Sequence, residues 1–149
     1  MRKINKIIVH CTATPQGREV SINDVRRWHV EERGWRDVGY HFLISLDGTV
    51  EEGRPIEQTG AHTRGNNWDS IGVAYVGGLD SDMKPLDTRT DAQKDSLIDL
   101  LCQLKDCYGG VVYGHRDFSS KDCPSFDAKK EYENISNGNR ELETKRRYR

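Results

Sequence analysis

The stretch INKIIVHC, residues 4–11, is apolar on both of the faces that alternate along a β-strand. Strands at the centre of a sheet have this pattern when both faces of the sheet are covered, because neither side meets water. His10 lies at the C-terminal end of the stretch. The segment therefore predicts a central strand and places a histidine at a strand end, where functional groups of such folds gather.

Further strands and helices surround this strand in the sequence. Capping patterns and apolar stripes predict the first two helices, because side chains three and four positions apart share one helix face. In chain order the predicted elements are strand 4–11, helix 21–34, strands 40–45, 49–54 and 70–78, helix 90–109, strand 111–114 and helix 125–134. This order predicts a single α/β domain over 1–134, with a central mixed β-sheet flanked by helices. The charged segment 135–149 lacks apolar periodicity and is expected to be a flexible tail.

Composition indicates one globular domain with an ordinary surface. The chain has 149 residues, of which 34% are hydrophobic, and this is enough to form a core. A formal net charge of -1 argues against electrostatic binding to nucleic acid or to an anionic membrane. We therefore expect no nucleic-acid partner and no membrane partner, and we expect a monomer.

The N-terminal residues resemble neither a secretory signal nor a membrane span. The one apolar run in MRKINKIIVHC is too short for the hydrophobic region of a signal peptide. No other stretch reaches the length that a spanning helix needs. The chain is expected to be made and folded in a cytoplasm, unless a leader has already been removed.

The four cysteines, Cys11, Cys102, Cys107 and Cys123, do not form a recognisable disulfide framework. Cys102 and Cys107 lie five positions apart on one predicted helix, so their side chains point in well separated directions. Reduced thiols, with one or more of them functional, are the better interpretation.

The residues His10, His115 and Cys123 carry the strongest chemical signal. Each histidine ends a predicted buried strand, and Cys123 follows in the loop GHRDFSSKDCP at 114–124. If the two strands are neighbours, two imidazoles and a thiolate converge, and Zn²⁺ suits this mixture of nitrogen and sulfur ligands. Taken singly, a buried histidine is more often a core residue, and a cysteine is more often an apolar filler.

Two other arrangements use the same atoms. Cys11 is a rival metal ligand, although its side chain should face away from that of its strand neighbour His10. Alternatively, Cys123 or Cys11 beside a histidine could act as a nucleophile, but this leaves the second histidine without a role.

Several motifs occur in a fixed order over about residues 4–132. They are IIVHCTAT, GWRDVGYHFLISLDGTVEEGRP, TGAHTRGNNWDSIGVAYVGG and GHRDFSSKDCPSFD. Together they resemble the zinc-dependent N-acetylmuramoyl-L-alanine amidases of the phage-lysozyme type, whose fold is shared with the peptidoglycan recognition proteins. The resemblance implies hydrolysis of the amide bond between N-acetylmuramic acid and L-alanine of peptidoglycan, with degradation of the bacterial cell wall and release of a phage or prophage.

The same resemblance implies the roles of individual residues. The zinc ligands fall on His10, His115 and Cys123, the catalytic tyrosine on Tyr40 and the catalytic lysine on Lys121. Zinc and the lysine ammonium would hold the negative charge that develops on oxygen during amide hydrolysis.

The resemblance also implies residues that line or support a substrate groove, and it has two departures. The groove residues fall on Trp35, His41 and His62. Ser125 stands where the family commonly has glycine after Cys-Pro, and Tyr132 stands where a tryptophan is frequent.

Two functions other than catalysis remain open for this sequence. A module of the same fold can bind peptidoglycan without cutting it, but non-cutting relatives typically lack the thiolate ligand that Cys123 supplies here. Some phage lysozymes of this type also bind their phage's RNA polymerase, and no feature of this sequence marks such a surface.

Overall fold

A computed structural model describes residues 2–135 of the chain. Most strands belong to one five-stranded sheet, and a two-stranded sheet lies beside it. Among the described residues the strands are β1 (Lys6–Cys11), β2 (Thr14–Pro15), β3 (Phe42–Ile44), β4 (Val50–Glu52), β5 (Ser70–Tyr75), β6 (Gly78–Leu79) and β7 (Val111–Gly114). The mixed α/β architecture predicted from the sequence is confirmed.

The central sheet has the strand order β4-β3-β5-β1-β7. Strand β1 pairs in parallel with both β5 and β7, whereas β4 runs antiparallel to β3. In the β1–β7 pair, Val9 lies opposite Gly114. His10 and His115 are the next residues along the two chains, so the sheet places them side by side at one edge.

The first two helices begin where the sequence predicts them. Helix α1 (Ile22–Arg27) starts at a capping box made by Ser21 and Asp24, and it continues as a π-helical segment, Trp28–Glu32. Helix α2 (Asp91–Tyr108) starts at a second capping box, made by Thr90 and Gln93. Helix α3 (Ala128–Glu131) is shorter than the predicted 125–134. None of the described helices is both long and apolar enough to cross a membrane.

The two faces of the sheet pack against different helices. Ile7, Val9 and Cys11 of β1 belong to one core cluster together with the apolar face of α2. The opposite face of the sheet contributes to a second cluster with Val25 of α1. Because side chains alternate along β1, His10 points away from the α2 side and from the side chain of Cys11.

Strands β2 and β6 were not predicted. Thr14 and Pro15 pair in parallel with Gly78 and Leu79, shortly after the C-terminal ends of β1 and β5. Two-residue strands carry no periodicity, so only their partner defines them.

The first residue of the predicted tail, Ile135, is also the last of the described residues. Ile135 is buried in the core, although the tail was expected to begin there. The remainder of the predicted tail, 136–149, lies outside the described residues.

Candidate metal centre

Three side chains from distant parts of the sequence meet at the C-terminal edge of the sheet. They are His10 at the end of β1, His115 directly after β7, and Cys123 in the loop that follows. One potential ligand atom of each lies within 4.8 Å of the others. The structure thus brings together the three residues that the sequence singled out as metal ligands.

The loop that carries His115 and Cys123 is held by backbone hydrogen bonds. His115–Asp117 form one 3-10 turn, and the Asp117 carboxylate accepts a hydrogen bond of 2.8 Å from the Gly114 N–H. The Arg116 N–H donates to the Cys123 carbonyl oxygen at 2.7 Å and so closes the loop. This bond keeps Cys123 near the turn that holds His115.

Cys123 has a polar and largely enclosed environment. Its sulfur accepts a hydrogen bond of 3.2 Å from the Cys11 N–H and lies 3.8 Å from Nδ1 of His10. The Cys11 side chain, followed by burial, raises the pKa of the Cys123 thiol, while the Cys11 backbone and the Lys121 ammonium act in the opposite direction. A nearby cation would therefore be needed to stabilise the thiolate form at this position.

Burial also controls the protonation of the two histidines. Burial, followed by the charges of His62, His115 and Lys121, lowers the pKa of His10 well below its ordinary value. Burial and the Lys121 ammonium lower the pKa of His115 as well. Both imidazoles are therefore neutral near pH 7, which is the form that binds a metal ion.

The three residues lie in a pocket that continues into a groove. The pocket is lined by Tyr40, Trp28 and Trp35 as well as by the proposed ligands. The groove shares Arg33, Trp35, His62, His115 and Lys121 with the pocket and extends to Arg64, Asn67 and Phe118. Three cationic side chains line this groove, and its lining contains no Asp or Glu among the described residues.

Tyr40 and Lys121 are far apart in the sequence, and both line this pocket. The Tyr40 ring centroid is 5.2 Å from that of His10. Burial, followed by the charges of Cys123 and Cys11, raises the pKa of the Tyr40 hydroxyl, so this group stays protonated and can donate. Within residues 2–135, no carboxylate forms an ion pair with Lys121.

The three predicted substrate residues differ in position. Trp35 lines both the pocket and the groove. His62 also reaches them, but its Nδ1 lies 2.8 Å from Nε2 of His10. His41 lines neither the pocket nor the groove. Its Nδ1 accepts from the Gly72 N–H at 3.0 Å and its Nε2–H donates to the Gln58 carbonyl, so it supports the backbone.

Two other residues of the pocket were missed by sequence reasoning. His29, in the π-helical segment, accepts a hydrogen bond of 2.8 Å from the Gly39 N–H, and burial lowers its pKa to about 4. Arg33 lies over the Trp35 ring at 5.2 Å. The signal was present as a histidine and an arginine flanked by two tryptophans in WHVEERGW, but the π-helical turn that aims them inward has no sequence signature.

The sequence pattern of the family described as N-acetylmuramoyl-L-alanine amidase matches residues 1–126. The chain belongs to the N-acetylmuramoyl-L-alanine amidase family. The activity of this amidase is hydrolysis of the amide bond that joins N-acetylmuramic acid to L-alanine.

Endolysins of bacteriophages are among the relatives of this amidase. The endolysin of Klebsiella phage KP32 is 45% identical over 133 residues, which cover 89% of this chain and 87% of the relative. The endolysin of Escherichia phage T7 is 47% identical over 128 residues, covering 85% and 84%.

Solved structures share the fold of the amidase. The N-acetylmuramoyl-L-alanine amidase LysC from Clostridium intestinale superposes with a TM-score of 0.74 and 29% identity, covering 87% of this chain and 82% of that one. Bumblebee PGRP-SA superposes with a TM-score of 0.74 and 27% identity, covering 90% and 83%. The mixed sheet with flanking helices is therefore the fold of this family.

Proposed function

We propose that the amidase cuts bacterial cell-wall peptidoglycan and that one Zn²⁺, held by His10, His115 and Cys123, is its cofactor. The observation that carries this proposal is the mutual approach of the three ligand atoms to within 4.8 Å. The site opens into the pocket and the basic groove described above.

The donor set fits zinc. Two imidazole nitrogens and one thiolate sulfur are ligands that Zn²⁺ prefers, and three protein ligands are typical of catalytic zinc sites. A bound divalent cation would favour the thiolate form of Cys123, which the Cys11 side chain and burial disfavour in the free chain. When bound, the ion supplies Lewis-acid polarisation of the scissile carbonyl and activation of water.

Lys121 and Tyr40 act on the scissile amide from the wall of the pocket. In the described part of the chain, no carboxylate forms an ion pair with the Lys121 ammonium. Its positive charge is therefore available to the oxygen that becomes negative in the transition state. The protonated Tyr40 hydroxyl donates a hydrogen bond to the same oxygen or gives its proton to the leaving amine.

The groove accommodates the remainder of the substrate. Trp35 in the groove and Trp28 in the adjoining pocket offer flat apolar surface, which suits sugar rings and alkyl groups. Arg33 and Arg64 offer cations to the carboxylates of the stem peptide. The endolysin relatives support a role of this amidase in degrading the wall of a bacterial host at the end of a phage cycle.

Digestion of purified peptidoglycan tests the proposal. We expect new L-alanine amino termini without new reducing sugars, loss of activity with a chelator, and recovery when zinc is added. A His115→Ala variant should be inactive, and a Lys130→Ala variant, changed at an exposed position of α3 outside the pocket and the groove, serves as the control. Sedimentation of the chain with peptidoglycan without new amino termini would instead identify a binding module.

A further inference from the structure

A second buried histidine lies directly behind the proposed metal ligand His10. Nε2 of His10 is 2.8 Å from Nδ1 of His62, and the two rings meet edge to face with centroids 4.9 Å apart. The other nitrogen of His10, Nδ1, lies 3.8 Å from the sulfur of Cys123. One nitrogen of His10 therefore faces the ligand cluster, and the other faces His62.

The far side of His62 is also engaged. Its Nε2 lies 3.2 Å from the Ser70 hydroxyl at the start of β5. The Thr63 hydroxyl lies 3.0 Å from Nδ1 of His62 and 3.2 Å from Nε2 of His10. A continuous chain of hydrogen bonds thus leads from His10 through His62 to Ser70.

Packing holds the His62 ring in this position. A Cβ atom at Gly72 would lie 2.6 Å from Cγ and Cδ2 of His62, and one at Gly60 would lie 2.8 Å from Cδ2. The ring therefore lies against bare backbone on two sides, and any side chain at these glycines would displace it. This close packing is what a residue needs if it is to orient another residue.

Hydrogen positions follow from the chemistry of a neutral imidazole, which has one N–H and one lone pair. If His10 binds a cation through Nδ1, its proton is on Nε2 and is donated to Nδ1 of His62. His62 then carries its own proton on Nε2 and donates it to the Ser70 hydroxyl. In the opposite arrangement the proton of His10 would point at the ligand cluster and block metal binding.

We propose that His62 is a positioning residue that fixes the tautomer and orientation of His10 so that the Nδ1 lone pair faces the metal site. The inference rests on the proposed metal site and assigns His62 a role other than contact with substrate. Hydrogen bonds from metal-bound histidines to such partners commonly change metal affinity by about 10- to 100-fold.

Two variants of His62 separate this role from packing. His62→Leu removes the acceptor while keeping an apolar side chain, and His62→Asn keeps an acceptor oxygen near the position of Nδ1. Zinc affinity is measured by competition with a chromophoric chelator. We expect His62→Leu to bind zinc about 10- to 100-fold more weakly than wild type, and His62→Asn to recover most of the loss.

Two further variants serve as controls. Thr63→Val added to His62→Leu removes the remaining hydrogen-bond partner of His10 Nε2, the Thr63 hydroxyl, and should weaken zinc binding further. His41→Leu also removes a buried imidazole, whose ring is 5.8 Å from that of His62, but it leaves the His10 contact intact. This variant should lose stability and keep its zinc affinity. Equal zinc affinity in wild type and His62→Leu would overturn the inference.

A second measurement does not depend on zinc. Correlation spectra of ¹⁵N-labelled histidine in the zinc-free wild-type chain should show His10 with its proton on Nε2, and a proton on Nδ1 would refute the inference. Failure of the wild type to bind zinc would remove the proposed cofactor, whereas the His10 tautomer would still decide the role of His62. If His62→Leu does not fold, the tautomer of His10 in the wild-type chain still tests the positioning role of His62.

Discussion

Cys123 illustrates how one residue of this amidase depends on its immediate neighbours. Its sulfur is close to the Cys11 amide and to His10. The raised pKa means that the thiolate form is disfavoured unless a cation lies nearby. The next residue but one, Ser125, has a φ of 72°, in the region that favours glycine. Its hydroxyl donates to the Gly78 carbonyl at 2.8 Å, which offsets the backbone strain and explains how serine is accommodated where the family commonly has glycine.

Lys121 provides the residue-scale prediction. Lys121→Met should lower kcat by about 100- to 1000-fold, because a positive charge near the developing oxyanion is lost. Zinc content and unfolding free energy should stay close to wild type, since the Lys121 side chain is exposed. Release of amino termini from peptidoglycan measures kcat.

Lys130→Met is the matched control for that experiment. Lys130 is an exposed lysine on α3 and lines neither the pocket nor the groove. A kcat for Lys121→Met as high as that of the control would show that the ammonium does not act on the scissile amide.

At the scale of elements, α2 is joined to the sheet by polar contacts as well as by its apolar face. Gln93 is fully buried although it lies in the first turn of the helix. Its side-chain oxygen accepts from the Thr90 N–H, and its amide group donates to the carbonyls of Ile44 and Val76. One side chain therefore caps the helix and also donates hydrogen bonds to backbone carbonyls at the ends of β3 and β5.

Gln93→Leu should destabilise the fold by about 1–3 kcal/mol, because it leaves buried polar backbone groups without a partner. Ile44 retains a second hydrogen bond from the Val76 N–H, so most of the cost falls on the Val76 carbonyl and the cap. Urea unfolding measures the change. Gln103→Leu, at an exposed position of the same helix, should leave the midpoint almost unchanged, and equal midpoints for the two variants would contradict this account.

At the scale of the whole molecule, the parallel sheet assembles the site. The ligands come from β1 and from a segment more than one hundred residues later, and they meet because β7 pairs directly with β1. Several histidines are buried as a result. The pKa values of His29 and His41 both fall to about 4, mainly through burial, and those of His10 and His62 are also lowered.

This burial predicts the pH dependence of stability in the zinc-free chain. The unfolded chain binds protons at histidine below about pH 6.5, while the folded chain resists protonation at His29 and His41 down to about pH 4. Stability should therefore be complete above pH 6.5 and fall as the pH drops towards 4, by up to about 1.4 kcal/mol per pH unit for each such group.

Urea unfolding at a series of pH values, in the presence of a chelator, measures this slope. His29→Gln should give a shallower dependence than wild type, because one buried imidazole no longer takes up a proton on unfolding. An unfolding free energy that does not change between pH 7 and pH 5 would contradict the prediction.

Elements whose signals are local can be predicted from the amino-acid sequence. The two-sided apolar stretch of β1, the capping boxes of α1 and α2, and the positions of His10 and His115 at strand ends all follow from neighbours within a few residues. The family motifs added the roles proposed for Tyr40 and Lys121, which periodicity alone does not distinguish from packing and surface residues.

Contacts between distant groups depend on the three-dimensional fold. The pairing of β2 with β6, the hydrogen bond from the Gly72 N–H to His41 and the hydrogen bond between His62 and His10 depend on residues far apart in the chain. Local periodicity states which face of an element is buried but not which side chain it will meet. That choice is made by strand order and register, which set the distances between side chains across the sheet.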